Sequence, residues 1–195
     1  MASIWVIKLG GSLTDSNILK EWLNLIASQG KGRAVIVPGG GGFADQVRKA
    51  QQQWQFDDVR AHHMSVLAMQ QMALLFQGLY PEMCLADTPT QIKRFLEHGR
   101  VVIWSPIINI LNQAGIPANW DITSDSLSAW LAQMLSAITL TIVKSSVIPE
   151  NYTISELIEK GVVDKAFNQY ANFSSHQIQV VNRADIDLFS AWFVK

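Results

Sequence analysis

A single cysteine, Cys84, stands among 195 residues, so the chain has no internal disulfide and no Cys-x-x-Cys metal pair. A reducing cytoplasm suits that thiol count. Cys84 reads as a small apolar residue in a short strand over residues 82–86, rather than as a reactive thiol. Excess charge of one sign is missing too. The 15 Lys and Arg residues face 16 Asp and Glu, a net charge of −1, and no long basic run occurs. Nucleic acid, which needs a positive field, is therefore not an expected partner. No uncharged apolar stretch approaches the roughly 20 residues of a membrane-spanning helix, so no membrane association is expected. The first residues open directly on SIWVIKL, without the basic segment of a signal peptide. A soluble, cytoplasmic globular protein is the expectation.

What is present is an alternation of strand and helix patterns. Apolar residues make up 49% of the chain, enough for one core without covalent staples. Residues 3–9 are apolar and β-branched and stop at Gly10-Gly11-Ser12. Over 17–28, Ile18, Leu19, Trp22, Leu23, Leu25 and Ile26 form a helical stripe, and Gly30 ends it. Residues 33–37 are a short buried strand closed by Pro38 and four glycines, and a helix follows over 43–53. A long Met- and Leu-rich helix spans 57–79, capped by Asp57 or Asp58. Thr88-Pro89 opens another helix, followed by a strand over 101–104. A helix over 123–135, a strand over 138–143 and short helices over 153–160 and 164–171 come next. A strand over 178–181 and a helix over 186–191 end the pattern. Continuous apolar strands between amphipathic helices predict a mainly parallel sheet covered on both faces. The fold class is therefore α/β, one three-layer α/β/α sandwich domain over residues 1–195.

Open parallel sheets bind ligands at the carboxyl ends of their strands. The first two strands end there in glycine clusters, Lys8-Leu9-Gly10-Gly11-Ser12 and Pro38-Gly39-Gly40-Gly41-Gly42. Glycine lets the backbone approach an anion and aim N–H groups at it, and the helices that follow add their positive ends. Either cluster alone is equally well a tight turn, but two on one sheet edge make an anion cradle. No GxxxxGK[ST] and no GxGxxG occurs, which disfavours a P-loop and a nicotinamide site. Lys8 sits near the end of a buried strand, where an ammonium is costly unless it meets an anion. It either snorkels to solvent or neutralises a phosphoryl group in flight, and the neighbouring turns favour the second. A third element, Trp120-Asp121-Ile122-Thr123-Ser124-Asp125-Ser126, begins a helix capped by Thr123 or Ser124. The helix dipole explains one carboxylate there, and less well Asp121 and Asp125 together. His62 and His63, adjacent on the long helix, are by residue type alone ordinary packing. Most of the seven tryptophans read as core; Trp120, beside the acidic motif, is the exception.

The order KLGGS, PGGGGFAD, WDITSDSLSAWLA resembles the amino acid kinase superfamily, which includes acetylglutamate, aspartate, carbamate and uridylate kinases. The resemblance runs from Ser3 to about Val181. It implies the amino acid kinase, or carbamate kinase-like, fold and phosphoryl transfer from ATP to a small-molecule acceptor. The acceptor site would lie in the N-terminal part and the nucleotide site in the C-terminal part. On this resemblance Lys8 stabilises the transferring phosphoryl group, and Asp125 orients the catalytic lysines rather than acting as a strong base. Gly10, Gly11, Ser12, Lys144 and Ser145 fall to ATP; Gly39, Gly40, Gly41, His62, Trp120, Asp121 and Thr123 fall to the acceptor. Mg2+ is expected on the ATP phosphates, with no metal ligands from the protein.

The sequence departs from the family pattern in three places. The T/S-D-V-x-G after the fifth strand is here Lys144-Ser145-Ser146-Val147-Ile148. No second catalytic lysine stands around Val162-Val163-Asp164, leaving Lys144, Lys160 or Lys165 to substitute. The usual C-terminal Gly-Thr turn is missing. The short chain, Ala61-His62-His63-Met64 in a long helix, and WDITSDS after Pro117 resemble the aminomethylfuran phosphate kinase branch, which serves the biosynthesis of methanofuran-type C1 carriers. His62 or His63 would then face the substrate phosphate or the furan ring. A member binding nucleotide or oxyanions without catalysis, and a uridylate-type kinase, are the alternatives. Superfamily relatives usually assemble through a helix beside the substrate lobe, so a homo-oligomer is expected; the 57–79 helix either forms such an interface or is equally well a wholly buried core helix.

Overall fold

The strands are short apolar runs because both of their faces are covered. The structure, a computed structural model, describes residues 3–171 and 177–193. β1 (Trp5–Leu9), β2 (Ala34–Pro38), β3 (Cys84–Ala86), β4 (Val102–Trp104), β5 (Thr139–Lys144) and β6 (Gln177–Asn182) form one sheet in the order β3-β4-β2-β1-β5-β6. Every pairing is parallel. The helices are α1 (Ile18–Gln29), α2 (Gly41–Trp54), α3 (Asp58–Leu79), α4 (Pro89–Glu97), α5 (Ile108–Gln113), α6 (Ser124–Leu135), α7 (Ile154–Glu159), α8 (Phe167–Ala171) and α9 (Ile186–Phe193), with a 3-10 turn at Gly11–Asp15.

Strand parity sorts the core into two layers. Val6, Val35, Leu140 and Ile142 pack with Leu127 and Leu131 of α6, Ile92 of α4 and Phe167 of α8. Ile7, Leu9, Ile36 and Ile103 pack with Trp22 and Ile26 of α1, Phe76 of α3, and Phe189 and Phe193 of α9. α3 feeds both layers, through Val66 and Met69 on one side and Met72 and Phe76 on the other.

The local signals act as their chemistry requires. Asp57 caps α3 by accepting from the Arg60 N–H at 2.8 Å. Thr88 caps α4 with Pro89 in its first turn. Three differences from the sequence expectation matter. α2 begins at Gly41, so two glycines form its first turn. β5 runs on to Lys144. The helix expected from 164 starts only at Phe167, because the Asp164 carboxylate is used on α6. The six-residue α5 had no periodicity long enough to announce it. None of the described helices is long and apolar enough to cross a membrane.

Candidate active site

β1 has β2 on one side and β5 on the other, so the chain's path reverses there and a crevice opens beyond its carboxyl end. Lys8 has the parity of Val6, and Lys144 that of Leu140 and Ile142. Both lysines therefore point to the face covered by α6, whose second residue is Asp125. The Asp125 Oδ1 lies 2.8 Å from Lys8 Nζ, and Lys144 Nζ donates to Oδ2 at 2.6 Å. The side chains of Lys8 and Asp125 are 4% and 3% exposed. Two ammoniums and one carboxylate thus converge at the end of the sheet, an excess of positive charge that suits an anion.

Burial pulls the Lys8 ammonium down to about 8, against the attraction of Asp125 and with further help from Lys144. Burial also works against ionised Asp125, yet Lys8 and then Lys144 hold its carboxyl below the usual aspartate value. Asp125 is therefore a fixed anion between two cations, a poor proton acceptor and a good orienting group.

The glycine turns touch each other above this cluster. Gly10 N–H donates to the Val143 carbonyl at 3.1 Å, and Gly39 N–H donates to that of Leu9 at 2.9 Å. A Cβ on Gly11 would stand 2.3 Å from Gly41 N, and one on Gly39 would stand 2.7 Å from Gly11 N. Gly41 also has φ +55°, which β-carbon-bearing residues rarely adopt. Neither turn could close so tightly with side chains in place.

A cavity of about 320 Å³ opens here. Lys8, Gly11, Ser12, Gly39, Gly40, Gly41, His62, Trp120, Thr123, Asp125 and Lys144 all line it. Gly10 sits just behind, its Cβ position 3.7 Å from Lys8 Nζ. Ser145 lies to one side and accepts from Ser12 Oγ at 2.9 Å. Asp121 does not reach the cavity; it points to solvent and pairs with Lys165 at 3.4 Å. The two carboxylates of the acidic motif therefore part, one inward and one outward. Lys165 is occupied there, and Lys160 caps the end of α7, so of the three lysines Lys144 is the one that reaches Asp125.

The far wall combines apolar and polar groups. His62 is 4% exposed, and burial, then His63, lower its pKa to about 4, so it is neutral at pH 7. Its Nδ1 and the Ser65 Oγ, one turn along α3, are buried without a protein partner beside Val66 and Met69. Trp120 Nε1 donates to Gln51 at 2.6 Å, and the Arg48 guanidinium lies 4.7 Å from the Trp120 ring centroid. Arg48 and Ser65 also line the cavity, and sequence reasoning missed both. Their signal was helical spacing: Arg48 falls one turn beyond Ala44 on α2, and Ser65 falls three residues after His62. Among the described residues no three His, Cys, Asp or Glu side chains gather as a metal set.

Comparison with known proteins gives the family and the fold. The sequence matches the Amino acid kinase family over residues 3–146. It is 32% identical over 134 residues to [5-(aminomethyl)furan-3-yl]methyl phosphate kinase of Methanocaldococcus jannaschii, covering 67% of this chain and 60% of that relative's length. The fold is similar to uridylate kinase of Archaeoglobus fulgidus (TM-score 0.73, 18% identity, covering 96% of this chain and 95% of that one). UMP kinase of Ureaplasma parvum is equally similar (0.73, 18%, 98% and 96%). Aspartate kinase of Synechocystis follows (0.69, 14%, 93% and 38%). Since the family match begins before β1 and ends just after β5, it takes in both lysines and the aspartate between them, and the chain belongs to the amino acid kinase family.

Proposed function

We propose that this chain is an ATP-dependent kinase of a small phosphorylated acceptor, with [5-(aminomethyl)furan-3-yl]methyl phosphate as the first candidate. The Lys8–Asp125–Lys144 cluster under two touching glycine turns carries the reading. Phosphoryl transfer asks a protein mainly for positioning and charge stabilisation. An oxygen of the acceptor phosphate attacks the γ-phosphorus, the bond to the bridging oxygen breaks, and ADP leaves with that electron pair. A phosphate monoester is already ionised at neutral pH, so no general base is required. This agrees with an Asp125 held as a stable anion. Lys8 and Lys144 offset the charge that develops on the oxygens of the group in transit, and Asp125 keeps both ammoniums aimed.

The acceptor is placed over Gly39, Gly40 and Gly41, with Trp120 and Thr123 beside it and Arg48 adding a cation. The unpartnered Nδ1 of His62 and Oγ of Ser65 offer hydrogen bonds to its phosphate or its ring substituents. ATP is placed on the other side, over Gly10, Gly11 and Ser12 with Lys144 and Ser145. There, Asn182 Nδ2 donates to the Ser146 carbonyl at 2.8 Å, which holds the loop after β5, and Arg183 donates to that of Ser12 at 3.0 Å, which holds the turn after β1. Mg2+ would be carried by the nucleotide phosphates, in keeping with a site built from lysines and backbone N–H groups. A cytoplasmic location is in keeping with the single thiol, and self-association through α3 with its exposed apolar side chains.

ADP release with Mg-ATP, measured across [5-(aminomethyl)furan-3-yl]methyl phosphate, UMP, acetylglutamate, aspartate and carbamate, tests the reading. Turnover with the furan phosphate establishes it, and turnover with UMP moves the acceptor to the uridylate type. Calorimetric ATP binding with no turnover of any acceptor would make the chain a nucleotide binder.

A further inference from the structure

Asp164 lies in the turn between α7 and α8, beyond the stretch matched to the family. Its Oδ2 accepts from Thr123 N at 2.8 Å, Thr123 Oγ1 at 2.8 Å and Ser126 N at 3.0 Å. Its Oδ1 accepts from Ser126 Oγ. Thr123 is the N-cap of α6 and Ser126 its third residue, so one carboxylate from about 40 residues away does the work of a local cap. The bond from Asp125 N to Thr123's own hydroxyl is long, 3.4 Å. Ala166 N–H adds a bond to the Asp121 carbonyl at 2.9 Å. Asp125 sits between the two residues that Asp164 grips.

We infer that Asp164 is a positioning residue of the transfer centre: it caps α6 from the C-terminal half and so fixes the Asp125 carboxylate between Lys8 and Lys144. The inference rests on the kinase reading for its catalytic consequence, but its geometry does not. An N-terminal turn free to fray would let Asp125 swing away from one lysine, and misplacement by about 1 Å costs a reaction on the order of 10²-fold. An ordinary acidic cap would leave the site's electrostatics alone, and Asp164 does not. Burial first, then the charge of Asp125, raise its pKa against the bonds from Ser126 and Thr123. Its own charge helps hold Lys8 protonated. The titratable groups around the pair are Asp125 from α6, Lys144 from β5 and the neutral Tyr170 from α8, whose pKa rises through burial and Asp164. Arg48 and His62 look into the same cavity from α2 and α3.

The test compares the wild-type chain with Asp164→Asn and Ser126→Ala, following Lys8 by NMR of 13C-labelled lysine side chains and turnover by ADP release. Wild-type Lys8 should titrate near about 8 and Asp164→Asn should titrate lower, with kcat reduced on the order of 10²-fold and both KM values nearly unchanged. Ser126→Ala should lower kcat less and leave the Lys8 titration in place, since the charge remains; it decides the matter if Asp164→Asn does not fold. A folded Asp164→Asn that loses only thermal stability, with kcat and the Lys8 midpoint unchanged, overturns the inference. Wild-type protein inactive on every acceptor sinks the kinase reading by itself, and the Lys8 midpoint then still decides for or against Asp164.

Discussion

A lysine whose pKa burial pulls down to about 8 makes activity and stability respond to pH in opposite directions. On the proposed kinase reading the transferring group needs the ammonium, so kcat/KM should fall as pH rises through about 8. Lys8 titrates at 10.5 in an ordinary environment, so between about 8 and 10.5 the unfolded chain holds the extra proton. Stability therefore gains from this group as pH rises through that window. Below it both states are protonated and the burial cost stands in full. Thermal unfolding recorded alongside the pH–rate profile checks this: a basic limb caused by unfolding would show a falling midpoint, and Lys8 should contribute a rising one. Bound ATP brings negative charge to the ammonium, so the limb in kcat should lie at higher pH than that in kcat/KM. The second lysine is decided by a substitution series. Lys144→Ala should lower kcat by about 10²–10³-fold, as for a lost oxyanion donor, and Lys160→Ala and Lys165→Ala should stay within about twofold. A large loss in Lys165→Ala instead would break the assignment. Lys8 was legible from type and place, a cation in a buried strand, whereas Asp125 was told from Asp121, an equally acidic residue at the same helix start, only by the family resemblance. Lys144 was legible only as one of three, because choosing it takes strand parity: it shares the face of Leu140 and Ile142. Asp164 left no local sign at all, since its partners lie 38 and 41 residues away in sequence.

At the scale of elements, the two glycine turns are one structure rather than two. Each occupies the volume that the other's Cβ atoms would need, so substitution in one should damage both. Gly41→Ala places a Cβ at φ +55°, 3.1 Å from the Met72 sulfur. A left-handed residue that is not glycine costs about 1–2 kcal/mol. In a chain of this size that is a midpoint lowered by roughly 2–8 °C. Gly11→Ala meets backbone instead of a flexible thioether, at 2.3 Å from Gly41 N, and should cost more. It should also weaken ATP binding, because the turns must separate to admit the methyl group. Calorimetry of ATP binding with thermal unfolding checks both, and Gly42→Ala, which meets nothing within 4 Å, is the control. A Gly11→Ala protein as stable as that control would show that the turns do not interlock. Strands and long helices were legible because their apolar periods are long and their caps local, as at Asp57 and Thr88. The contact between the turns was not, since nothing in either cluster says that β1 and β2 end side by side.

For the whole molecule, continuous apolar strands between amphipathic helices made the parallel three-layer sheet legible, while the strand order had to come from the packing of the helices. That order leaves α3 with apolar side chains on its outer face as well as its inner one. Its 22 residues send Val66, Met69, Met72 and Phe76 inward to both core layers. Yet Val59, Met64, Leu67, Leu74, Leu75 and Leu79 remain between 39% and 59% exposed. Trp54 at the end of α2, 71% exposed, extends the same kind of surface. So many exposed apolar side chains on one helix suit a covered surface, and a second copy placing the same face against it would form the closed, self-complementary contact of a twofold dimer. Sedimentation equilibrium should then give a dimer. Leu67→Arg and Leu74→Glu should each shift it toward monomer by placing an unpaired charge in the contact. His62, Ser65 and Met69 line the cavity from this same helix, so loosening its outer face should raise KM for the acceptor more than KM for ATP. A monomeric Leu74→Glu protein with both KM values unchanged would separate assembly from the site, and a monomeric wild type would remove the interface altogether.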